Sequence, residues 1–118
     1  MYARDNAARA ADGQEPPSPG QVETAVGTFR LLADPTRLRV LWLLSTGEYD
    51  VTTLAGMIDV PRVSVSQHLA KLRLGGLVAT QREGRRVVYR ARDSHVRSVL
   101  AEALFHADHT LTGLTDHE

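Results

Sequence analysis

The chain has 118 residues, 42% hydrophobic and 24% charged, with 14 basic and 14 acidic side chains and no cysteine. That length suits one domain with a modest core, one that gains from dimerisation. The lack of cysteine excludes disulfides, thiolate metal sites and a cysteine nucleophile, and no apolar run or leader-like N-terminus points to a membrane, so a cytoplasmic location with no membrane partner is expected.

Residues 1–19 are rich in Ala, Pro, Gly and charge without an apolar period, and read as a disordered arm. From Gln21 to Ala33, Val22, Ala25, Val26, Phe29 and Leu32 recur at helical spacing. Asp34-Pro35 marks a break and restart, with Asp34 as N-cap and Pro35 at the first helical position. A second helix from Pro35 to Ser45 carries Leu38, Leu41, Trp42 and Leu44.

Val51 to Gly76 reads as two short helices around a tight turn. Thr52-Thr53 is the expected cap of the first, and Leu54, Ala55 and Ile58 its apolar face. Asp59-Val60-Pro61 interrupts the pattern, because proline removes a donor and disfavours helix just before it. The second helix, Arg62 to Leu74, has Val65, Leu69 and Leu72 as its buried stripe, and Gly75-Gly76 stops it. Its other residues include Ser64, Ser66, Gln67, His68, Lys71 and Arg73, all able to reach base edges or phosphates. This is a helix-turn-helix with a recognition helix.

The period then changes to that of strands. Leu77–Arg82 and Arg86–Arg90 flank Glu83-Gly84-Arg85, a hairpin whose basic tip reads as a wing, with Arg82, Arg85 and Arg86 at phosphates or the adjacent minor groove. A last helix runs from Asp93 to about Leu111, with Val96, Val99, Leu100, Ala103 and Leu104 apolar, followed by a flexible tail, 112–118. The expected fold is mainly α with a β-hairpin wing, in the order α-α-α-αR-β-β-α. The expected domain, 20–111, pairs through its terminal helices as a homodimer.

The zero net charge hides an asymmetry. Between Arg62 and Arg92 stand eight cations and one anion, Glu83, a local charge of +7, so the rest of the chain sums to −7. A basic stretch that coincides with a recognition helix is the electrostatic footprint of double-stranded DNA binding.

The last helix carries a second pattern: Asp93-Ser94-His95, ten residues, then His106-Ala107-Asp108-His109. Aspartate and imidazole are ligands for zinc, nickel or cobalt. His106 and His109, three apart, share a helix face. His95 precedes His106 by eleven residues, about 20° from eclipsed, but displaced by roughly 16 Å along the axis. One helix therefore cannot bring both pairs to one ion, whereas two antiparallel copies can. Asp93 and His95 of one subunit then meet His106 and His109 of the other, twice per dimer. Taken singly, Asp93 also reads as an ordinary N-cap and each histidine as a surface residue.

On these residues the chain resembles the ArsR/SmtB family of metal-responsive repressors over about Gln21 to His109. The carriers are Leu32-Ala33-Asp34-Pro35-Thr36-Arg37-Leu38, Ser64-Val65-Ser66-Gln67-His68-Leu69-Ala70-Lys71-Leu72, Gly84-Arg85-Arg86 with Tyr89, and the C-terminal ligand pattern. The resemblance implies a metal-free dimer that binds operator DNA and a metal-loaded dimer that releases it. It also implies that a ligand histidine hydrogen-bonds toward the recognition helix; here Gln67-His68 reverses the order found in some zinc sensors. Four nitrogen and oxygen donors suit tetrahedral Zn(II), the favoured metal. The resemblance of Met1-Tyr2-Ala3 and of Phe29–Trp42 to nickel- and cobalt-sensing members makes Ni(II) or Co(II) the alternative. Asp116, His117 or the arm would then complete a six-coordinate shell.

Two rivals differ in class. A winged-helix repressor with a purely structural dimer would have no metal response. A metal-dependent hydrolase needs an open metal position and a base; four protein ligands close the shell, and only Glu102 or Asp108 could serve as base. No nucleophile motif or glycine-rich phosphate loop accompanies them, so the expectation is a regulator without organic cofactor and not an enzyme.

Overall fold

The computed structural model describes residues 15–113. Short polar side chains and prolines set the helix starts. Helix α1, Pro19–Leu32, begins two residues before the expected Gln21 because Ser18 and Gln21 form a capping box: Gln21 N–H donates to Ser18 Oγ at 3.1 Å and Ser18 N–H to Gln21 Oε1 at 2.8 Å. Helix α2, Pro35–Thr46, starts as expected, with the Asp34 carboxylate accepting from Arg37 N–H at 3.0 Å. Helix α3, Val51–Ile58, is capped not by Thr52-Thr53, which lie inside it, but by Asp50, whose Oδ1 accepts from Thr53 N–H at 2.8 Å.

Asp59 then takes a left-handed conformation, φ 57°, which turns the chain before Pro61 and the start of helix α4, Arg62–Leu74. Gly76, φ 78°, redirects the backbone after α4 into the hairpin. Strands β1, Val78–Glu83, and β2, Arg86–Ala91, pair antiparallel with Glu83 opposite Arg86. The loop is thus two residues, Gly84-Arg85, with positive φ at Gly84 alone, the sign pattern of a type II′ turn. Tyr49 adds one bridge on the far side of β2: Tyr49 N–H donates to Tyr89 O at 3.1 Å and Tyr89 N–H to Tyr49 O at 2.9 Å. Helix α5, Ser94–Thr112, is continuous, with Asp93 as N-cap and left-handed Gly113, φ 75°, after its last turn.

Helix α2 is the centre of the domain, touching every other helix and β2. Val40 and Leu41 from α2, Leu54, Val65, Leu69 and Leu72 from the helix-turn-helix, and Val78 and Leu100 are all but completely buried around it. The stripe expected on α4 is therefore its core face. The terminal helices differ. Of the periodic apolar residues of α1 only Leu32 is buried, whereas Val22, Val26 and Phe29 are exposed. Helix α5 buries Val96 and Leu100 but leaves Val99, Leu104 and Phe105 outside. The arm reading for residues 1–14, and Asp116 and His117, lie outside the described residues.

Candidate functional site

Helix α4 is fixed from three sides before any ligand arrives. Its inner face is the core; its C-terminal end joins β1, with Leu77 N–H donating to Leu72 O at 2.9 Å. Beside it, at the start of α3, the Asp50 carboxylate binds the α3 N-terminus through Oδ1 and the wing through Oδ2, which accepts from Arg86 Nε at 3.0 Å, tying the wing to α3 rather than to α4 itself. Thr53, through hydroxyl and backbone N–H, and then the Arg86 guanidinium hold the Asp50 carboxyl down at about 2, well below the ordinary 3.8. Arg86 thus has a structural partner, while Arg82 bends back to donate to Gly84 O at 3.5 Å.

The third restraint runs through His68. It lies half-buried, 21% exposed at the side chain, with Nδ1 3.3 Å from Arg37 Nη1 and 3.7 Å from Asp34 Oδ2. It therefore faces the junction of α1, α2 and α4 rather than open solvent. Arg37 is the hub of that junction: its Nε donates to Leu31 O at 2.7 Å and Nη2 to Arg30 O at 3.4 Å, satisfying carbonyls at the end of α1. A guanidinium only donates, so Nδ1 accepts from Arg37 when it lacks a proton and can pair with Asp34 only when it bears one. The Arg37 contact has hydrogen-bond length; the Asp34 contact is too long for one. The Arg37 N–H holds the Asp34 carboxyl below the usual carboxylate range, and the His68 and Arg37 charges add to this against a desolvation that opposes it.

The outward surface of α4 carries Ser66, Gln67, Lys71 and Arg73, all exposed, while Ser64 is half-buried. Val63 and Ala70 are exposed on the same side. All eight cations between Arg62 and Arg92 are exposed, so the +7 stretch is a solvent-facing basic surface shared by α4 and the wing.

On α5 the two pairs expected as metal ligands sit at opposite ends. Asp93 is the N-cap, with Oδ1 accepting from His95 N–H at 2.9 Å, and its second carboxylate oxygen is not used by that bond. Asp93, His95 and His106 are exposed; His109 is half-buried with its ring against Phe105, centroids 4.3 Å apart. Among the described residues of a single chain, no three potential ligands gather at one point. Over the unbroken helix, His95 and His106 are separated by roughly 16 Å of rise. The donor set fits a borderline divalent metal: three imidazoles and a carboxylate placed outside the helix proper.

The signals for His68 and Asp50 were in the chain. His68 is three residues after Val65 and four before Leu72, the spacing of the buried stripe. Asp50 stands three residues before Thr53, the spacing of an N-cap to the N–H that it binds. The Tyr49 bridge spans forty residues and has no local signal.

The family model described as bacterial regulatory protein, arsR family, matches residues 34–80. The HTH-type transcriptional regulator KmtR of Mycobacterium tuberculosis is 44% identical over 108 residues, which span 92% of this chain and 83% of KmtR. NmtR, an HTH-type transcriptional regulator of the same organism, is 43% identical over 89 residues, 75% of this chain and 74% of NmtR. Among solved structures, the homodimeric winged helix-turn-helix DNA-binding domain of a possible ArsR-family regulator from Mycobacterium bovis superposes with a TM-score of 0.73 at 30% identity, covering 84% of this chain and 92% of that one. The cadmium metal-sensor CmtR of Mycobacterium tuberculosis superposes at 0.57 with 43% identity over 65% of this chain and 80% of that one. Among the described residues no helix is long and apolar enough to cross a membrane.

Proposed function

Because this chain belongs to the arsR family of bacterial regulatory proteins and has its winged helix-turn-helix fold, we propose that it is a metal-sensing transcriptional repressor, a homodimer that binds operator DNA when metal-free and leaves it when metal-loaded. The observation that carries the metal half is the continuity of α5, with Asp93 and His95 at its start and His106 and His109 near its end. On such a helix the two pairs are complementary only across an antiparallel partner. The exposed apolar residues between them off the core face, Val99 and Phe105, supply a self-complementary surface for that partner.

In this reading α4 enters the major groove, Ser66 and Gln67 reach base edges, and Lys71, Arg73, Arg82 and Arg85 neutralise phosphates. Ser64, half-buried beside them, approaches the backbone of the duplex. Arg86 and His68 act by positioning, the first by tying the wing to α3 and the second by tying α4 to the end of α1. Asp93 and His95 of one protomer and His106 and His109 of the partner would hold the metal, which supplies a bond across the subunit boundary. Four such donors close a tetrahedral shell and so favour zinc over nickel or cobalt. The bond releases DNA only if metal binds the DNA-incompetent dimer more tightly, and DNA then weakens metal binding by the same factor.

The test is a titration of the metal-free protein, bound to the DNA that precedes its own gene, with zinc, nickel and cobalt. Release by zinc, with an intense tetrahedral cobalt spectrum, is expected. Unchanged DNA binding in all three titrations overturns the sensor reading. Selective release by nickel or cobalt with a weak octahedral spectrum overturns the assignment to zinc.

A further inference from the structure

Val63 is 70% exposed, and only Leu74, at the far end of α4, is a more exposed apolar residue in the helix-turn-helix. It is the second residue of α4. Ser66, Gln67 and Ala70 follow it at i+3, i+4 and i+7, all exposed, so the four form a single stripe opposite the buried Val65, Leu69 and Leu72. Around Val63 the stripe holds two alkyl groups, a hydroxyl and an amide, and the cation Arg73 joins it only at i+10, about 15 Å further along the axis, while Lys71 lies to one side. A solvated helix face is ordinarily dominated by charged and long polar residues, and Val63 contributes nothing to the core.

We propose that Val63 is a specificity-determining residue that reads the 5-methyl group of a thymine in the operator. The inference rests on the DNA-binding reading above. A recognition helix presents its N-terminal residues to the base edges, which is the turn that Val63 occupies. The thymine methyl is the apolar feature of the major groove, and alkyl side chains are its natural contacts. A β-branched side chain in a helix is held in one strongly preferred rotamer, so its two methyl groups are presented with little entropy left to lose. Ser66 and Gln67, one turn on, reach polar edges of the neighbouring base pairs. Val63 therefore adds a requirement for thymine at a position that the polar residues do not specify.

The experiment is selection of binding sites from a random duplex pool by the full-length protein and by Val63→Ser. Binding of the enriched duplex is then measured with each thymine replaced singly by deoxyuridine, which removes only the methyl group. For the unmodified protein, one replacement per half-site is expected to weaken binding about fourfold, the value of one buried methylene-sized group. Val63→Ser should lose both the thymine preference and the deoxyuridine effect at that position, while Ser66→Ala retains the effect. A thermal midpoint shared by all three proteins separates readout from folding. Indifference of the unmodified protein to deoxyuridine at every thymine of a tightly bound duplex overturns the proposal, as does an effect that persists in Val63→Ser. Failure to enrich any duplex overturns the DNA-binding reading itself.

Discussion

The proposed metal site lends itself to a complementation experiment. One variant, Asp93→Asn/His95→Ala, loses the N-terminal pair but keeps an asparagine able to cap α5. A second, His106→Ala/His109→Ala, loses the C-terminal pair. If the roughly 16 Å of helix between His95 and His106 forces each ion to be shared, neither homodimer holds a complete ligand set. A heterodimer of the two holds one complete set and one empty one. Random exchange makes about half of all dimers mixed, each with one site in place of two, so an equimolar mixture should recover about one quarter of the unmodified capacity. Zinc uptake is read by competition with a chromophoric chelator, and heterodimer content by native mass spectrometry with a mass tag on one variant. Recovery proportional to the heterodimer fraction is the expected outcome. Heterodimers that take up no zinc, or either variant alone binding a full complement, would refute the shared-ligand geometry.

Other measurements bear on different parts of the molecule. The folded-state carboxyl of Asp50, at about 2, lies below its ordinary 3.8, so its contribution to stability is complete above about pH 4 and is lost as the pH falls through 2. The difference in urea midpoint between the unmodified protein and Asp50→Asn should shrink over that window, and a constant difference would mean that the Arg86 and Thr53 contacts do not form in solution. Leu69→Ala, at a completely buried position of α4, should cost about 2–5 kcal/mol by denaturant unfolding, whereas Leu74→Ala, 90% exposed, should stay within about 0.5 kcal/mol. Arg85→Ala should weaken all duplexes alike and lower the salt dependence of binding by about one counterion, with a sequence-selective loss as the contrary result. Gly76→Ala places a Cβ in open space but at φ 78°, so a loss of about 1–2 kcal/mol is expected from backbone strain alone.

The outline of the fold was legible because its signals are local. Asp34-Pro35, the Val65, Leu69 and Leu72 spacing, and the change of period after Gly76 each report on a few neighbouring residues, and each element appears where those signals put it. What escaped was decided by competition or by distance. Thr52-Thr53 is a reasonable cap by residue type, but Asp50 lies earlier and also gains Arg86, a partner 36 residues away. The pairing of Tyr49 with Tyr89 and the grip of Arg37 on His68 join segments 40 and 31 residues apart, beyond any periodicity. His68 looked like a surface residue because imidazole is polar, although its spacing assigned it to the edge of the buried stripe. The proposed ligand set is a reading of spacing alone, and its division between two chains an inference from helix rise.

The Tyr49–Tyr89 bridge has a consequence for how a distant signal reaches the duplex. Its paired backbone bonds fasten the hairpin to the segment that launches α3, and the Asp50–Arg86 bond clamps the same seam from the side-chain side. The wing and the start of the helix-turn-helix are thus joined at one seam. If metal at α5 releases DNA as proposed, the motion expected is a re-aiming of this unit as a whole rather than a folding away of the wing. In a dimer that would alter the span and tilt between two unchanged reading heads. What such a protein would give up on release is its fit to the spacing of the half-sites, while its taste for the bases within each half-site stays as it was.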